Sequence, residues 1–304
     1  MPSLELIHST IYRYRRPVLL GRHQLMLRPR EVRDIRLISF DVRMNPDAEL
    51  VWTHDVADNS IATANFKEKT DYLEIVSRSK IEMNMTQWPV FMISASACNF
   101  PFSYSDDEWI DLGALTVQHY PDPNGQLSEW VNSFIFSSPT DTLSLLKDVS
   151  VGIAQRTTYQ IRESEGTQTP LETLDKQEGS CRDFAVLFVA AARCLGLGAR
   201  IVSGYLVNTD GWLSGSNGFG STHAWAEVFL PGAGWVAFDP TNRSIGSGNL
   251  ISVAVVREMY QAVPVSGQFI GEKDDQLEMS VAVRISKTQD LLKICNAKAS
   301  NCDG

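Results

Sequence analysis

None of the five cysteines stands in a C-x-x-C pair: Cys98, Cys181, Cys194, Cys295 and Cys302 are scattered through 304 residues. That spacing argues against a zinc ribbon and against a dense disulfide framework, so reduced thiols are expected. Cys295 and Cys302 lie close together in a polar tail and could pair under oxidation, but a frayed, unpaired C-terminus is the expectation. Basic excess is missing too. Twenty-seven Lys and Arg against 36 Asp and Glu give a formal charge of −9, the opposite of the footprint that neutralises phosphates, so no nucleic-acid partner is expected. The acidity is spread along the chain and reads as a solvated surface. No apolar run approaches the roughly 18 to 20 residues of a membrane span, and the most apolar segment, after Cys181, is broken by Arg193. The N-terminal stretch 1–17 alternates strand-like residues with charges instead of holding a signal-peptide core. No membrane association and a cytoplasmic location follow as expectations. His8, His23, His54 and His119 have no partner at metal-ligand spacing, and no acidic cluster has the spacing of a calcium loop, so neither metal nor cofactor is expected.

What is present is ordinary globular composition, 43% hydrophobic and 21% charged, enough for one large domain or two of usual size. The predicted class is α+β. Residues 1–115 read as an antiparallel β domain. Ile38, Phe40, Val42 and Met44 alternate with polar residues, 50–54 and 61–66 flank a turn at 57–60 as a hairpin, and 72–83 reads as a further strand or pair. Residues 120–250 change period. Leu127, Trp130, Val131 and Phe134, then Leu143, Leu146 and Ile153, fall at helical spacing, and Thr169-Pro170-Leu171-Glu172 is an N-cap with proline at the first position. A helix from Cys181 to Leu195 carries an apolar stripe through Phe184, Leu187, Phe188 and Ala191, with Cys194 read as a core cysteine. Strands are expected at 200–207, 223–230 and 235–239, the last two joined by the four-residue loop Pro231-Gly232-Ala233-Gly234. The Gly/Ser-rich segment 208–222, holding Trp212 and Phe219, is a candidate site rim. Residues 251–304 supply a strand at 251–256 and a strongly alternating one at 277–285, completing one of the two sheets, and then the polar tail.

Three residues carry chemistry. A thiol attacks as thiolate, and a helix start favours negative charge through its unsatisfied N–H groups and dipole. Ser180-Cys181-Arg182-Asp183 has the capping-box pattern that begins a helix at Cys181, and Gly179 lets the backbone turn tightly and a substrate approach. The backbone N–H of Cys181 can also face a developing oxyanion; a second donor, an indole N–H or a side-chain amide, is required but not assigned. His223 opens a strand whose alternation puts His223, Trp225, Glu227 and Phe229 on one face. Asp239 ends the next strand, where a carboxylate can orient the imidazole and stabilise its cation. A four-residue loop pairs Leu230 with Trp235 and hence Ala226 with Asp239, three positions short of His223, so a bulge or offset is expected.

Gly179-Ser180-Cys181-Arg182-Asp183-Phe184-Ala185, Ala199 to Leu206, His223-Ala224-Trp225-Ala226-Glu227-Val228, and Gly234 to Thr241 with Trp235 and Asp239-Pro240 resemble, in this order, the bacterial transglutaminase-like family. Tyr12-Arg13-Tyr14, His23, Leu27-Arg28-Pro29-Arg30 and Asp55 to Asn59 resemble the β domain that precedes such cores, although Asp55-Val56-Ala57-Asp58-Asn59 departs from the expected aspartate, aromatic, glycine, asparagine turn. The resemblance implies a papain-like core with catalytic Cys181, His223 (general base) and Asp239, acting on a peptide or protein amide without a cofactor. Cysteine protease or amidase is the leading expectation, protein-glutamine acyl transfer the alternative, and a non-catalytic interaction module on the same fold the rival from another class.

Overall fold

The computed structural model describes residues 3–84, 89–161, 166–207 and 220–287. Trp212, Phe219, Cys295 and Cys302 lie outside the described residues. The N-terminal strands β1 (Ser3–Leu25), β2 (Ile35–Asn45), β3 (Glu49–His54), β4 (Ser60–Asn65) and β5 (Lys69–Met83) form an antiparallel sheet in the order β2-β5-β1-β4-β3. β1 is its spine: Leu4, Leu6, His8 and Thr10 alternate inward and are buried, as a sheet with one packed face requires.

The β3–β4 turn at 55–59 ties this sheet to the rest of the chain. Asp55 Oδ1 accepts the N–H groups of Ala57 and Asn59, and Asp58 takes the left-handed conformation with φ 60° that Asp tolerates. Asn59 is thereby pushed into the core, where its side-chain amide both donates to the carbonyl and accepts from the N–H of Val255, each at 2.8 Å. Arg30 donates to the Ala57 and Asp58 carbonyls and to Asn59 Oδ1. The departure from the expected turn therefore leaves intact the asparagine that makes the bridge.

Five helices follow among the described residues: α1 (Asp106–Leu112), α2 (Gln126–Asn132), α3 (Thr142–Arg156), α4 (Pro170–Lys176) and α5 (Cys181–Cys194), with two short pairings among them, β6 (Asn99–Phe100) on β7 (Thr140–Asp141) and β8 (Thr158–Tyr159) on β9 (Glu178–Gly179). Thr169 caps α4 reciprocally with Glu172, and Pro170 opens it. Helix α5 differs from its one-stripe expectation, because every residue from Asp183 to Arg193 is buried. The reason is its central place: residues of α2, α3 and α4 share one apolar cluster with it, together with Ala224, Ala226, Val228 and Leu230 of the following sheet. Arg193 interrupts the apolar run yet is itself buried. Its guanidinium is bonded to Glu258 Oε1 at 3.1 Å and to the carbonyls of Leu115, Ala199 and Arg257. Cys194 is half-buried, with Sγ 3.3 Å from Ser128 Oγ, and is not the core cysteine expected.

The second sheet is β13-β12-β11-β10-β14, built from β10 (Ala199–Val207), β11 (Gly220–Leu230), β12 (Gly234–Asp239), β13 (Ser244–Ile245) and β14 (Leu250–Val256). The late strands β15 (Val265–Ile270) and β16 (Gln276–Lys287) instead pair with β1. The C-terminal segment thus serves both sheets rather than one. The alternation of β16 is less buried than its pattern implies: Leu277, Met279 and Val281 remain 58%, 49% and 46% exposed, because β16 is an edge strand and only its last residues, Val283 and Ile285, reach a core cluster. Among the described residues no helix is long and apolar enough to cross a membrane.

Candidate active site

Helix α5 begins at Cys181, and a buried aspartate holds that start. Asp183 accepts the backbone N–H and the hydroxyl of Ser180, both at 2.8 Å, and the backbone N–H of Gln168 at 2.7 Å. Gly179 is required for space rather than for an unusual φ: a Cβ there would stand 3.0 Å from Asp183 Cβ and 3.2 Å from the Phe184 ring. Cys181, one turn before Phe184, is half-buried.

The β11–β12 hairpin supplies the other two groups, in a register one residue from that expected. The loop is Pro231-Gly232-Ala233, closed by the Ala233 N–H on the Leu230 carbonyl, and Gly234 at φ 75° begins β12 opposite Leu230. Ala226 therefore faces Phe238, not Asp239. One residue of register moves a whole strand to the other face. Asp239 then continues one step beyond that pair, on the face of Trp225 and His223, and a diagonal neighbour at that separation is within side-chain reach. No bulge interrupts the pairing: His223 Nε2 and Asp239 Oδ2 are 2.8 Å apart.

Asp239 is buried and fully used. Besides the imidazole it takes the N–H of Thr241 at 3.0 Å, the N–H of Asn242 at 3.3 Å, and the Asn242 side-chain amide at 2.7 Å. These donors and the imidazole outweigh burial and hold its carboxyl below the usual carboxylate range. For His223, burial works against the cation, but hydrogen bonds to Asp239 and to Cys181 and the negative charge of both push its pKa up to about 9. With Nε2 engaged by Asp239, Nδ1 is the ring nitrogen left for the sulfur. Trp225, buried, lies nearly parallel to the imidazole at 6.2 Å and backs it.

The structure thus brings Cys181, His223 and Asp239 together. It also places two residues that sequence reasoning missed. Asn242 clamps Asp239 and lies 3.5 Å from His223 Nε2. Tyr159 pairs with Gly179 through the β8–β9 bridge and packs against Phe184 with ring centroids 6.2 Å apart. Burial and then the charges of Cys181 and Asp239 push its phenol up, so the ring stands within electrostatic reach of both. Asn242 has a local signal, three residues after Asp239 in the Asp239-Pro240-Thr241-Asn242 turn; Tyr159 has none, and reaches the site only through a two-residue parallel bridge. Glu227, by contrast, is turned away into an ion pair with Arg200 at 2.7 Å, and the Arg200 guanidinium covers the Trp235 ring at 3.9 Å. Among the described residues no group of His, Cys, Asp and Glu could hold a metal.

A thiol at the first residue of a central helix, with an imidazole and a carboxylate from neighbouring antiparallel strands, defines a papain-like fold. The chain is a transglutaminase-like protein: residues 131–240 match the transglutaminase-like superfamily and residues 4–82 match the bacterial transglutaminase-like N-terminal region. An uncharacterized protein of Mycobacterium tuberculosis is 27% identical over 296 residues, 91% of this chain and 90% of that protein. One from Mycobacterium leprae is 33% identical over 113 residues, 37% of this chain and 40% of its own length. The crystal structure of a candidate cysteine protease from Cytophaga hutchinsonii superposes with a TM-score of 0.67 at 17% identity, covering 95% of this chain and 92% of that one, a likeness of fold.

Proposed function

We propose that this protein is a thiol hydrolase that cleaves an amide bond of a peptide or protein through an acyl-enzyme on Cys181. The observation that carries the reading is the hydrogen-bonded line of Cys181, His223 and Asp239, in which the imidazole keeps its proton to about pH 9. A cation beside a thiol at a helix start favours the thiolate. In the proposed reaction the Cys181 sulfur attacks the carbonyl carbon, the C–S bond forms, and the carbonyl electron pair moves to oxygen. His223 then gives its proton to the departing nitrogen, the C–N bond breaks and a thioester remains. Water, losing a proton to the now neutral His223, attacks the thioester, and the acid leaves with the thiolate restored.

The oxyanion formed in each half needs two donors. The backbone N–H of Cys181 is one; the Tyr159 hydroxyl is the second in this reading, because the phenol stands near the nucleophile on the strand beside it. Tyr159→Phe is expected to lower kcat by roughly 10²-fold while iodoacetamide still alkylates Cys181 at the wild-type rate, since alkylation builds no oxyanion. Equal kcat in the two proteins removes Tyr159 from the role.

The reading itself is tested by incubating the protein with a panel of short peptide amides and a fluorescent primary amine, followed by intact-mass analysis. Hydrolysis products with a transient thioester on Cys181, both lost in Cys181→Ser, support it. Amine conjugates in place of acids make it an acyltransferase. If no adduct forms and iodoacetamide labels Cys181 no faster than Cys194, the enzyme reading fails in favour of an interaction module.

A further inference from the structure

Helix α5 carries Cys181 at one end and, at the other, a buried polar cluster that the chemistry above does not use. Glu258 takes three donors: Arg193 Nη1 at 3.1 Å, His119 Nδ1 at 2.6 Å and the Tyr120 hydroxyl at 2.7 Å. A carboxylate only accepts, so His119 holds its proton on Nδ1 and, in the neutral ring, leaves Nε2 as an acceptor. Burial, with the charges of Arg193 and Arg257, holds His119 below its ordinary value despite Glu258, which keeps that ring neutral at pH 7. The charges do not cancel. Arg193 is matched by Glu258, whereas Arg257 makes no ion pair among the described residues, and its buried Nε has no acceptor. His119, Tyr120, Arg257 and Glu258 wall an open cavity of about 530 Å³, with Tyr260 as its exposed aromatic side.

An unmatched guanidinium, a neutral imidazole nitrogen that accepts, and an aromatic wall are complementary to one arrangement of ligand groups: a carboxylate with an N–H donor beside it. The end of a polypeptide has that arrangement, its terminal carboxylate being adjacent to the amide N–H of the last residue. The volume is in the range of sites that hold small ligands. We infer that the cavity between His119, Arg257 and Tyr260 is a binding site for a peptide's C-terminal carboxylate. Arg257 pairs with the carboxylate, His119 Nε2 accepts the terminal amide N–H, and Tyr260 covers the last side chain. Twelve residues of helix at 1.5 Å each put Arg193 roughly 18 Å along α5 from Cys181, so the site is separate from the thiol and does not depend on the proposed reaction.

The probe is N-acetylglycine, which has the carboxylate and the N–H, with N-acetylglycinamide and acetate as the two partial ligands. Each is titrated into the full-length protein at pH 7 and constant ionic strength while the arginine Nε–H signals are followed by NMR. A saturable shift of the Arg257 signal is expected with N-acetylglycine, at least about tenfold weaker binding with the amide and with acetate, and no saturable binding to Arg257→Gln, whose unfolding temperature and Cys181 alkylation rate stay those of the wild type. Equal affinity for the amide overturns the carboxylate site. Acetate binding as tightly as N-acetylglycine overturns the peptide terminus as its occupant, and undiminished binding to Arg257→Gln overturns the location.

Discussion

Replacing His223 with alanine is expected to reduce amide cleavage by about 10⁴-fold or more and to slow alkylation of Cys181 at pH 7 by at least tenfold. The cation beside the sulfur is lost, and with it the proton donor for the leaving nitrogen. The same change has a signature in stability that needs no substrate. The folded pKa of His223, about 9, lies above its ordinary value of 6.5, so the folded state binds this proton more tightly than the unfolded chain does. The resulting stabilisation is fully present below pH 6.5 and is lost as pH rises through 9. A displacement of this size corresponds to roughly 3 kcal/mol. Because a Cys181 thiolate gives up a proton on folding where His223 gains one, the two effects offset in the wild type; in Cys181→Ser, where only the imidazole titrates, urea unfolding is expected to weaken as pH rises above 6.5, and that slope is expected to flatten when His223→Ala is added. Asp239 contributes in the opposite window. Its carboxyl is held below the usual range, so its share is present at neutral pH and lost only as pH falls through its folded value. A Cys181→Ser protein with no loss of stability as pH rises above 6.5 would contradict the imidazolium held by Asp239.

The largest stability effect is expected far from the thiol. Glu258→Ala leaves the Arg193 guanidinium, whose side chain is 1% exposed, buried without its counter-charge. Breaking a buried ion pair from one side costs about 3–5 kcal/mol, which for a chain of this size lowers the unfolding temperature by roughly 10 °C. Arg193 also holds three backbone carbonyls at the end of α5, so the loosening is expected in hydrogen exchange at 190–199 first. A change in unfolding temperature no larger than that of an exposed substitution would mean that water replaces Glu258 at no cost. A double variant, Arg193→Met with Glu258→Met, would separate the loss of one partner from the worth of the pair.

Much of this molecule is legible from local pattern. The alternation at 38–44 and 72–83, the Thr169–Glu172 cap, and the Ser180–Asp183 start of α5 each depend on residues within a few positions of one another, and each appears where the pattern put it. The residues of the candidate site belong to the same class of signal: a cysteine at a helix start, a histidine opening a strand, and an aspartate before proline. What pattern misjudged was long-range. The hairpin loop at 231–233 is one residue shorter than expected, and that residue decides which face Asp239 occupies. The strand at 277–285 alternates as if half-buried, yet lies at a sheet edge where little covers it. Arg193 reads as a break in an apolar run and is in fact buried against Glu258, 65 positions away.

By itself the sequence determined which elements form, which family the chain belongs to, and which thiol, imidazole and carboxylate stand at the mouths of those elements. Capping, period and turn chemistry are short-range and written into neighbouring residues. Only the tertiary structure decided the hairpin register, the division of the last strands between two sheets, and the arrival of Tyr159 beside the thiol and of Gln168 on Asp183. Those outcomes rest on pairings between segments distant in the chain, where a one-residue shift in a loop or a two-residue bridge changes which side chains meet and leaves no trace in the local pattern.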